Sequence, residues 1–304
     1  MTHLLRLRVF LRPYLLQAAL ALLCVFGLTA ASLVIPRLIQ QVIDQGLISG
    51  EMRVALRAGG IIAAIGLLRA LLSFARIYLS EWISYRVAYD LRNQLYDKIQ
   101  RLSFGFHDYA QTGQLMSRCT EDVSSVQNFA GSGLLDAINT ALLFVGIVVV
   151  LFSSNPQLAA IALLPVVPLA IITTRFGTYI GGLFLAVDNA LGELSSRLQE
   201  NLSGAQVVRA FAREKFEIER WRVANRKLYT ARVTIVTAWA RMLPTTQLLV
   251  MLSTALILWF GGGQVLAGKM TVGEVVAFNS YLLLLAAPVA RLGWLVNMAG
   301  AASA

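Results

Sequence analysis

Four charged residues lie inside otherwise apolar stretches of the sequence, namely Arg69, Arg76, Asp136 and Arg291. A charge at membrane depth is unfavourable, so such a side chain normally faces a protein interior or a water-filled cavity. Because only Asp136 is available to balance the three arginines, the pattern indicates a cavity with surplus positive charge. Such a cavity would bind the negative group of an amphiphile, since a desolvated charge pair is far stronger than one in water. A plainer interpretation also stands, in which the arginines pair with Asp136 or extend to the lipid headgroups.

Catalytic and metal chemistry has few candidate residues. The histidines are His3 and His107, and the cysteines are Cys24 and Cys119, without the spacing of a metal or redox site. The sequence contains no G-x-x-x-x-G-K-S/T phosphate loop. The glycines at 261–263 lack the lysine of such a loop, so we interpret them as a turn. No catalytic residue and no metal site is predicted.

The charged residues must be positioned by membrane helices, because 57% of the 304 residues are hydrophobic and only 14% are charged. The mean hydropathy of +0.67 is too high for a soluble domain of this length, which predicts a polytopic membrane protein. Six stretches are long enough to cross a membrane as helices, so we expect an all-α membrane protein with six transmembrane helices. The spans are about 14–36, 56–80, 131–153, 158–175, 243–260 and 272–296.

Basic residues are concentrated on one side of these spans. The two long loops, 76–130 and 175–241, hold six and eleven of them. The positive-inside rule therefore predicts that both long loops and both termini are cytoplasmic, as in a protein of the bacterial inner membrane. The net charge of +10 is not accompanied by an aromatic and basic recognition motif, so nucleic acid is not an expected partner.

Both long loops have helical character, and each ends in a short polar tip. Apolar residues recur at spacings of three and four from Leu79 to Leu102, so the second membrane helix is predicted to continue into water. In the first tip, Gly105 and Gly113 are predicted to interrupt the helix, with Thr112 as a cap. In the second tip, Ser203 and Gly204 are predicted to interrupt the helix, and Phe211 and Phe216 among charges are predicted to anchor a partner.

At these tips the sequence resembles a known family. The segments FHDYAQTGQLMSRCTEDV and ENLSGAQVVRAFAREKFE are similar to the first and second intracellular loops of ATP-binding-cassette (ABC) exporters of the six-helix multidrug and lipid flippase type. The early IPRLIQQVIDQGL and the late YLLLLAAPVARLGWLVNMAGAASA are similar to the ends of helices one and six. The resemblance covers essentially the whole chain and implies one transmembrane domain over residues 1–304.

The resemblance implies that the two tips are coupling helices that dock on ATP-binding domains. The first docks mostly on the domain of its own subunit and the second on that of the partner, because helices four and five cross over in a domain-swapped dimer. Carried over to this sequence, the first coupling helix is Thr112, Gly113, Gln114, Leu115, Met116, Ser117 and Arg118, and the second is Phe211, Ala212, Arg213, Glu214, Lys215 and Phe216.

The resemblance also implies partners outside these residues. Without a phosphate loop the 304 residues are expected to have no ATPase activity, so ATP and Mg²⁺ are expected on a nucleotide-binding domain missing from this chain. A full-length parent would be an ATP-dependent translocase. The other expected partners are a second transmembrane half, identical or different, membrane lipids, and an amphipathic lipid, drug or metabolite as substrate. A motor-independent secondary carrier or channel is the alternative, although the sequence shows no convincing repeat of the kind usual in secondary carriers.

Overall fold

The computed structural model describes residues 12–48, 50, 52–109 and 111–303, and the side chains of residues 107, 108, 130, 287 and 290–303 lie outside this description. The described residues fold almost entirely into helix, and no strand occurs among them. The prediction of an all-α fold is confirmed. In chain order the helices are α1 Arg12–Ile48, α2 Met52–Gln100, α3 Phe104–Tyr109, α4 Thr112–Ser154, α5 Pro156–Ser203, α6 Ala205–Ala210, α7 Glu214–Leu266 and α8 Val272–Ser303.

Five of these helices, α1, α2, α4, α5 and α7, are long and apolar enough to cross a membrane. In α8 the described apolar stretch, Val272–Ala286, is shorter. The membrane-protein class is therefore confirmed, and α8 is compatible with the predicted sixth span, which stays a prediction.

The long helices extend well beyond the thickness of a membrane. α2 contains 49 residues and α7 contains 53, which at 1.5 Å per residue gives lengths of about 74 and 80 Å. A hydrocarbon core is only about 30 Å thick, so about 45 Å of α2 and about 50 Å of α7 lie outside it. These lengths confirm the predicted helical extensions. We call the end that carries α3 and α6 the tip side, and the opposite end, with the α4–α5 turn, the short-loop side.

The turn between α4 and α5 has the local chemistry that separates two helices. Asn155 takes the N-cap position of α5, where its side chain accepts a hydrogen bond from the Leu158 N–H at 3.0 Å. Pro156 follows at the start of the helix. Asparagine and proline are preferred residues at these two positions, so this turn could be predicted from the sequence.

The glycines at 261–263 do not form the predicted turn, because α7 continues through them to Leu266. Gly261 is buried, and a Cβ added there would lie 3.2 Å from Val275 of α8. The small residue therefore lets α7 and α8 approach closely. The chain turns later, at Gly268, whose φ of +69° lies in the left-handed region that favours glycine.

The helices pack in two groups that α8 joins. α1 packs against α2 and α4, while α5 packs mainly against α7. α8 contacts α1, α4 and α5, and α4, α5, α7 and α8 together build the largest buried cluster, which includes Leu151, Leu158, Ile257 and Leu285. The α5–α7 pair extends from this cluster toward the tip side.

Candidate coupling tips and charged groups at membrane depth

The second tip joins α5 to α7 through a short helix and a tight turn. α5 ends at Ser203. The C-cap residue Gly204 donates its N–H to the Glu200 carbonyl at 2.8 Å, and α6 follows at once. Ala212 then has a φ of +49°, an uncommon value for a residue other than glycine. The Arg213 N–H donates to the Val208 carbonyl at 2.9 Å. This hydrogen bond closes the turn between α6 and α7.

The predicted second coupling segment, 211–216, is therefore not one helix. Phe211 to Arg213 form the turn, and Glu214 to Phe216 begin α7. The separate short helix is α6, immediately before the predicted residues. Nothing in this stretch of sequence marks the break, because alanine is a strong helix former. The hydrogen bonds of the turn offset the cost of the left-handed conformation of Ala212.

The outer surface of the second tip is apolar at its centre and charged around it. Phe211 is 74% exposed, Val207 60% and Phe216 56%. These three side chains line one groove of about 470 Å³ together with Arg213 and Glu217. Aromatic side chains within a polar rim are typical of protein interfaces, so the tip can receive the surface of a partner protein.

Polar contacts within α7 and between α5 and α7 hold the second tip in place. The Glu217 carboxylate accepts a hydrogen bond from Arg220 at 2.9 Å. This hydrogen bond is the main reason that the pKa of Glu217 is lowered, and a hydrogen bond from Asn201 of α5 lowers it further. Farther from the tip, Lys227 Nζ lies 3.0 Å from the Glu193 carboxylate. The two helices therefore form a braced pair.

The first tip consists of α3 and the first turns of α4. The predicted first coupling segment, 112–118, is helical from Thr112 to Ser117, and a wider π-helical stretch that begins at Arg118 leads on into the rest of α4. The separate short helix is again the one before the predicted residues, in this case α3. The apolar side chains that this tip exposes are Phe104, Phe106, Tyr109 and Met116.

The local breaks predicted for the first tip are wrong. Gly105 lies within α3 and Gly113 within α4, so neither glycine interrupts a helix. A glycine inside a helix costs only about 1 kcal/mol relative to alanine, which surrounding contacts can offset. Gln111 takes the N-cap position in place of Thr112, and its side chain makes no capping hydrogen bond. The break lies earlier, at residues 101–103, directly after α2 ends at Gln100.

Two of the four charged residues predicted at membrane depth form an ion pair. The Arg76 guanidinium of α2 lies 2.9 Å from the Asp136 carboxylate of α4, and each side chain is 21% exposed. Farther toward the tip side the two helices approach closely, because Gly131 has no side chain and Ser84 occupies the space that one would fill. The Ser84 hydroxyl donates to the Gln127 carbonyl at 3.0 Å. The pairing interpretation is therefore confirmed for Arg76.

Arg69 remains a positive charge without a paired carboxylate among the described side chains. It lies seven residues from Arg76, about two helical turns, and so on the same face of α2. It is half-buried, and none of the ion pairs in the described part of the chain includes it. The side chain of Arg291 lies outside the described residues, so its place in a cavity stays a prediction.

Two features that the sequence interpretation missed lie near the ends of the spans. On the tip side, Arg175 of α5 and Arg241 of α7 line a groove of about 700 Å³. On the short-loop side, the Asp44 carboxylate of α1 accepts hydrogen bonds from Thr271 Oγ1 at 2.6 Å and from the Gly273 N–H at 2.9 Å. The arginines could have been noticed because each borders an apolar stretch. The contacts of Asp44 join residues 227 and 229 positions apart and leave no local signal.

Comparisons with known proteins match nearly the whole chain. The family model described as ABC transporter transmembrane region matches residues 18–289. An uncharacterized ABC transporter ATP-binding protein of Bacillus subtilis, YknU, is 31% identical over 98% of this chain and 51% of its own length. The ATP-dependent lipid A-core flippase of Syntrophus aciditrophicus is 31% identical over 94% of this chain and 48% of its own. A probable multidrug resistance ABC transporter ATP-binding/permease protein of B. subtilis, YheI, is 26% identical over 95% and 50%. The chain spans about half the length of these relatives.

Proposed function

Because this chain belongs to the ABC transporter transmembrane region family, we propose that it is the substrate-translocating domain of an ATP-driven exporter. A nucleotide-binding domain outside these residues binds ATP and Mg²⁺ and powers alternating access. Two observations support this division of labour: relatives are named as ATP-binding proteins, and the match covers about half of each.

The second tip is the observation that carries the proposal. It presents exposed Phe211 and Phe216 among Arg213, Glu214 and Lys215, at the end of a helix pair that extends roughly 40 Å beyond the hydrocarbon core. A braced pair of this length transmits a displacement of its tip to the membrane spans. Residues 211–216 accordingly dock on the nucleotide-binding domain, and residues 112–118 form a second docking segment.

The proposed orientation places the tip side in the cytoplasm of a bacterium, where ATP is available. The basic residues of the two long loops favour this orientation. The α5–α7 pair packs mainly on itself and extends away from α1 and α2, which suits a domain-swapped dimer in which the pair of each subunit lies against the other. The second half is either a copy of this chain or a related chain.

The proposed substrate is an amphiphile with a negative group, such as a lipid or a lipid-like metabolite. Since Asp136 balances Arg76, the surplus positive charge of the cavity rests on Arg69 and on Arg291. The comparison of matched anionic and neutral amphiphiles tests this assignment. Equal binding of both by the wild type, or an unchanged preference in Arg69→Gln, would show that Arg69 has a structural role only.

Reconstituted full-length protein tests the proposed function. We expect Phe211→Ala and Glu214→Arg to uncouple ATP hydrolysis from transport, because the first removes the exposed apolar side chain and the second reverses a charge of the docking surface. Neither residue belongs to the buried core, so the unfolding temperature stays within a few degrees of that of the wild type.

Val223→Ala is the matched control, since Val223 is also an exposed apolar residue of α7 but lies about two helical turns from Phe216 in the direction of the membrane. It should retain wild-type coupling. Wild-type coupling in Phe211→Ala and Glu214→Arg as well would contradict the docking assignment. Transport that continues when no nucleotide-binding domain is present would favour the carrier or channel alternative.

A further inference from the structure

The groove between α5 and α7 on the tip side carries two positive charges that the proposed function does not use. Arg175 and Arg241 both line its volume of about 700 Å³. Neither forms an ion pair with a carboxylate of the described residues, whereas Arg197, Arg220 and Lys227 of the same two helices each do. The groove therefore concentrates uncompensated guanidinium groups at one place on the pair.

The depth of the groove matches the headgroup layer of a membrane. Arg175 ends the apolar stretch 158–175, and Arg241 lies two residues before the stretch 243–260 begins. Both guanidinium groups consequently lie where the hydrocarbon core gives way to lipid headgroups on the tip side. Basic side chains at this depth attract anionic lipids.

The groove has apolar side chains on both sides of the two arginines. Ile172 and Met242 line it on the membrane side, and Tyr179, which is 55% exposed, lines it on the tip side. Phe176 also lines it and packs edge-on against Trp239 with ring centroids 4.9 Å apart. Aromatic residues are favoured at membrane interfaces because one part of the ring system is apolar and another is polar.

The threonine hydroxyl groups of the groove are already engaged with the helix backbone. Thr237 Oγ1 donates to the Val233 carbonyl at 2.8 Å, and Thr245 Oγ1 donates to the Arg241 carbonyl at 2.7 Å. The two guanidinium groups are consequently the charged hydrogen-bond donors left for a ligand, beside the hydroxyl groups of Tyr179 and Tyr229. Their planar donor geometry matches a phosphate group.

We propose that this groove binds the phosphate-bearing headgroup of an anionic membrane lipid at Arg175 and Arg241, with the acyl chains directed past Ile172 and Met242 into the hydrocarbon core. The site lies on α5 and α7, whereas Arg69 and Arg76 of the proposed substrate cavity lie on α2. The proposal rests on the proposed function only for the identity of the leaflet, which is the cytoplasmic one. Binding at α5 and α7 would stabilise the pair at the depth where it leaves the membrane.

Native mass spectrometry of the full-length protein in detergent tests the site. Phosphatidylglycerol and phosphatidylcholine with the same acyl chains are the two probes, and inorganic phosphate is a third. We expect the wild type to retain phosphatidylglycerol preferentially. In the Arg175→Gln/Arg241→Gln double variant the affinity for phosphatidylglycerol should fall about 25-fold, because each basic residue near an anionic headgroup contributes roughly a fivefold factor. Phosphatidylcholine binding should not change.

Arg232→Gln is the matched control, since Arg232 is an exposed arginine of α7 outside this groove, and it should bind phosphatidylglycerol like the wild type. Unchanged phosphatidylglycerol affinity in the double variant would overturn the proposal. A shift of the double variant from dimer to monomer would overturn it too, because the groove would then be a subunit interface. Displacement of the lipid by inorganic phosphate at equal concentration would identify a site for free anions.

The Arg69→Gln variant separates this proposal from the proposed substrate. If Arg69→Gln abolishes phosphatidylglycerol binding and the double variant does not, the lipid occupies the cavity and the groove proposal fails. If the double variant loses the lipid while Arg69→Gln keeps it, the groove proposal is supported whatever the substrate is.

Discussion

The two ends of the molecule are held together in different ways. On the short-loop side, polar contacts join helices that belong to different groups. The Asp44 carboxylate of α1 accepts two hydrogen bonds from the residues that begin α8. Asn155 Nδ2, between α4 and α5, donates to Gln264 Oε1 of α7 at 2.6 Å. The Tyr281 hydroxyl of α8 donates to the Leu33 carbonyl of α1 at 2.6 Å.

Toward the tip side, the polar contacts stay within a pair of helices. Arg76 and Asp136 join α2 to α4, and Lys227 and Glu193 join α5 to α7. We infer that the short-loop side acts as a lock between the helix groups, while each pair on the tip side moves as a unit. A force applied to a tip would then move the α2–α4 pair and the α5–α7 pair relative to each other before it breaks the contacts within either pair.

The largest effect on stability is expected inside the α2–α4 pair. In Asp136→Asn the Arg76 guanidinium loses its carboxylate, which should lower the free energy of unfolding by about 2 kcal/mol, less than for a fully buried pair because both side chains are partly exposed. Thermal unfolding of the purified full-length protein measures this change. Arg76→Gln/Asp136→Asn should recover part of the loss. If Asp136→Asn unfolds at the wild-type temperature, the pair does not hold α2 to α4.

A somewhat smaller effect is expected at the lock on the short-loop side. A Cβ on Gly273 would lie 2.6 Å from the Asp44 carboxylate, so Gly273→Ala should displace this group and destabilise the protein by about 1 to 2 kcal/mol. Gly262→Ala is the matched control, since it lies at the same end with no neighbour within 4 Å of its added Cβ. The two unfolding temperatures are compared directly, and equal values would contradict the lock.

The smallest effect is a pH dependence of the second tip. The pKa of Glu217 in the folded protein is lowered from its ordinary value of 4.5. The contribution of the Glu217 carboxylate to the stability of the tip is therefore fully present above pH 4.5. It is lost as the pH falls through the lowered folded pKa. Fluorescence of Trp221, in a variant whose other tryptophans are replaced by phenylalanine, reports this loss. Glu217→Gln should remove the transition, and a transition that persists in Glu217→Gln would have another cause.

The regular parts of the fold could be predicted from the sequence because local pattern determines them. Apolar spacing from Leu79 to Leu102 already indicates that α2 continues beyond the membrane, and Asn155 with Pro156 marks a helix boundary by its own chemistry. These signals depend on residues close together in the chain. The all-α membrane fold and the long helical extensions follow from them.

The details of the tips and of the lock could not be predicted, because tertiary contacts determine them. Ala212 adopts a left-handed conformation that its helix propensity opposes, and Gly261 lies inside α7 at a point where Val275 of α8 packs against it. Neither fact is visible from neighbouring residues. The sequence also left Arg76 either paired or lining a cavity, and only the distance to Asp136 decides between the two.

Photo-crosslinking from position 211 tests the central proposal most directly, namely that the second tip docks on the nucleotide-binding domain of the other subunit. Two full-length copies with different tags are co-expressed, and only one carries p-benzoylphenylalanine in place of Phe211. The same substitution at Val223 is the control and should give no crosslink to a nucleotide-binding domain. We predict that position 211 crosslinks to the nucleotide-binding domain of the copy with the other tag. Crosslinks confined to its own chain, or none to either nucleotide-binding domain, would contradict the account.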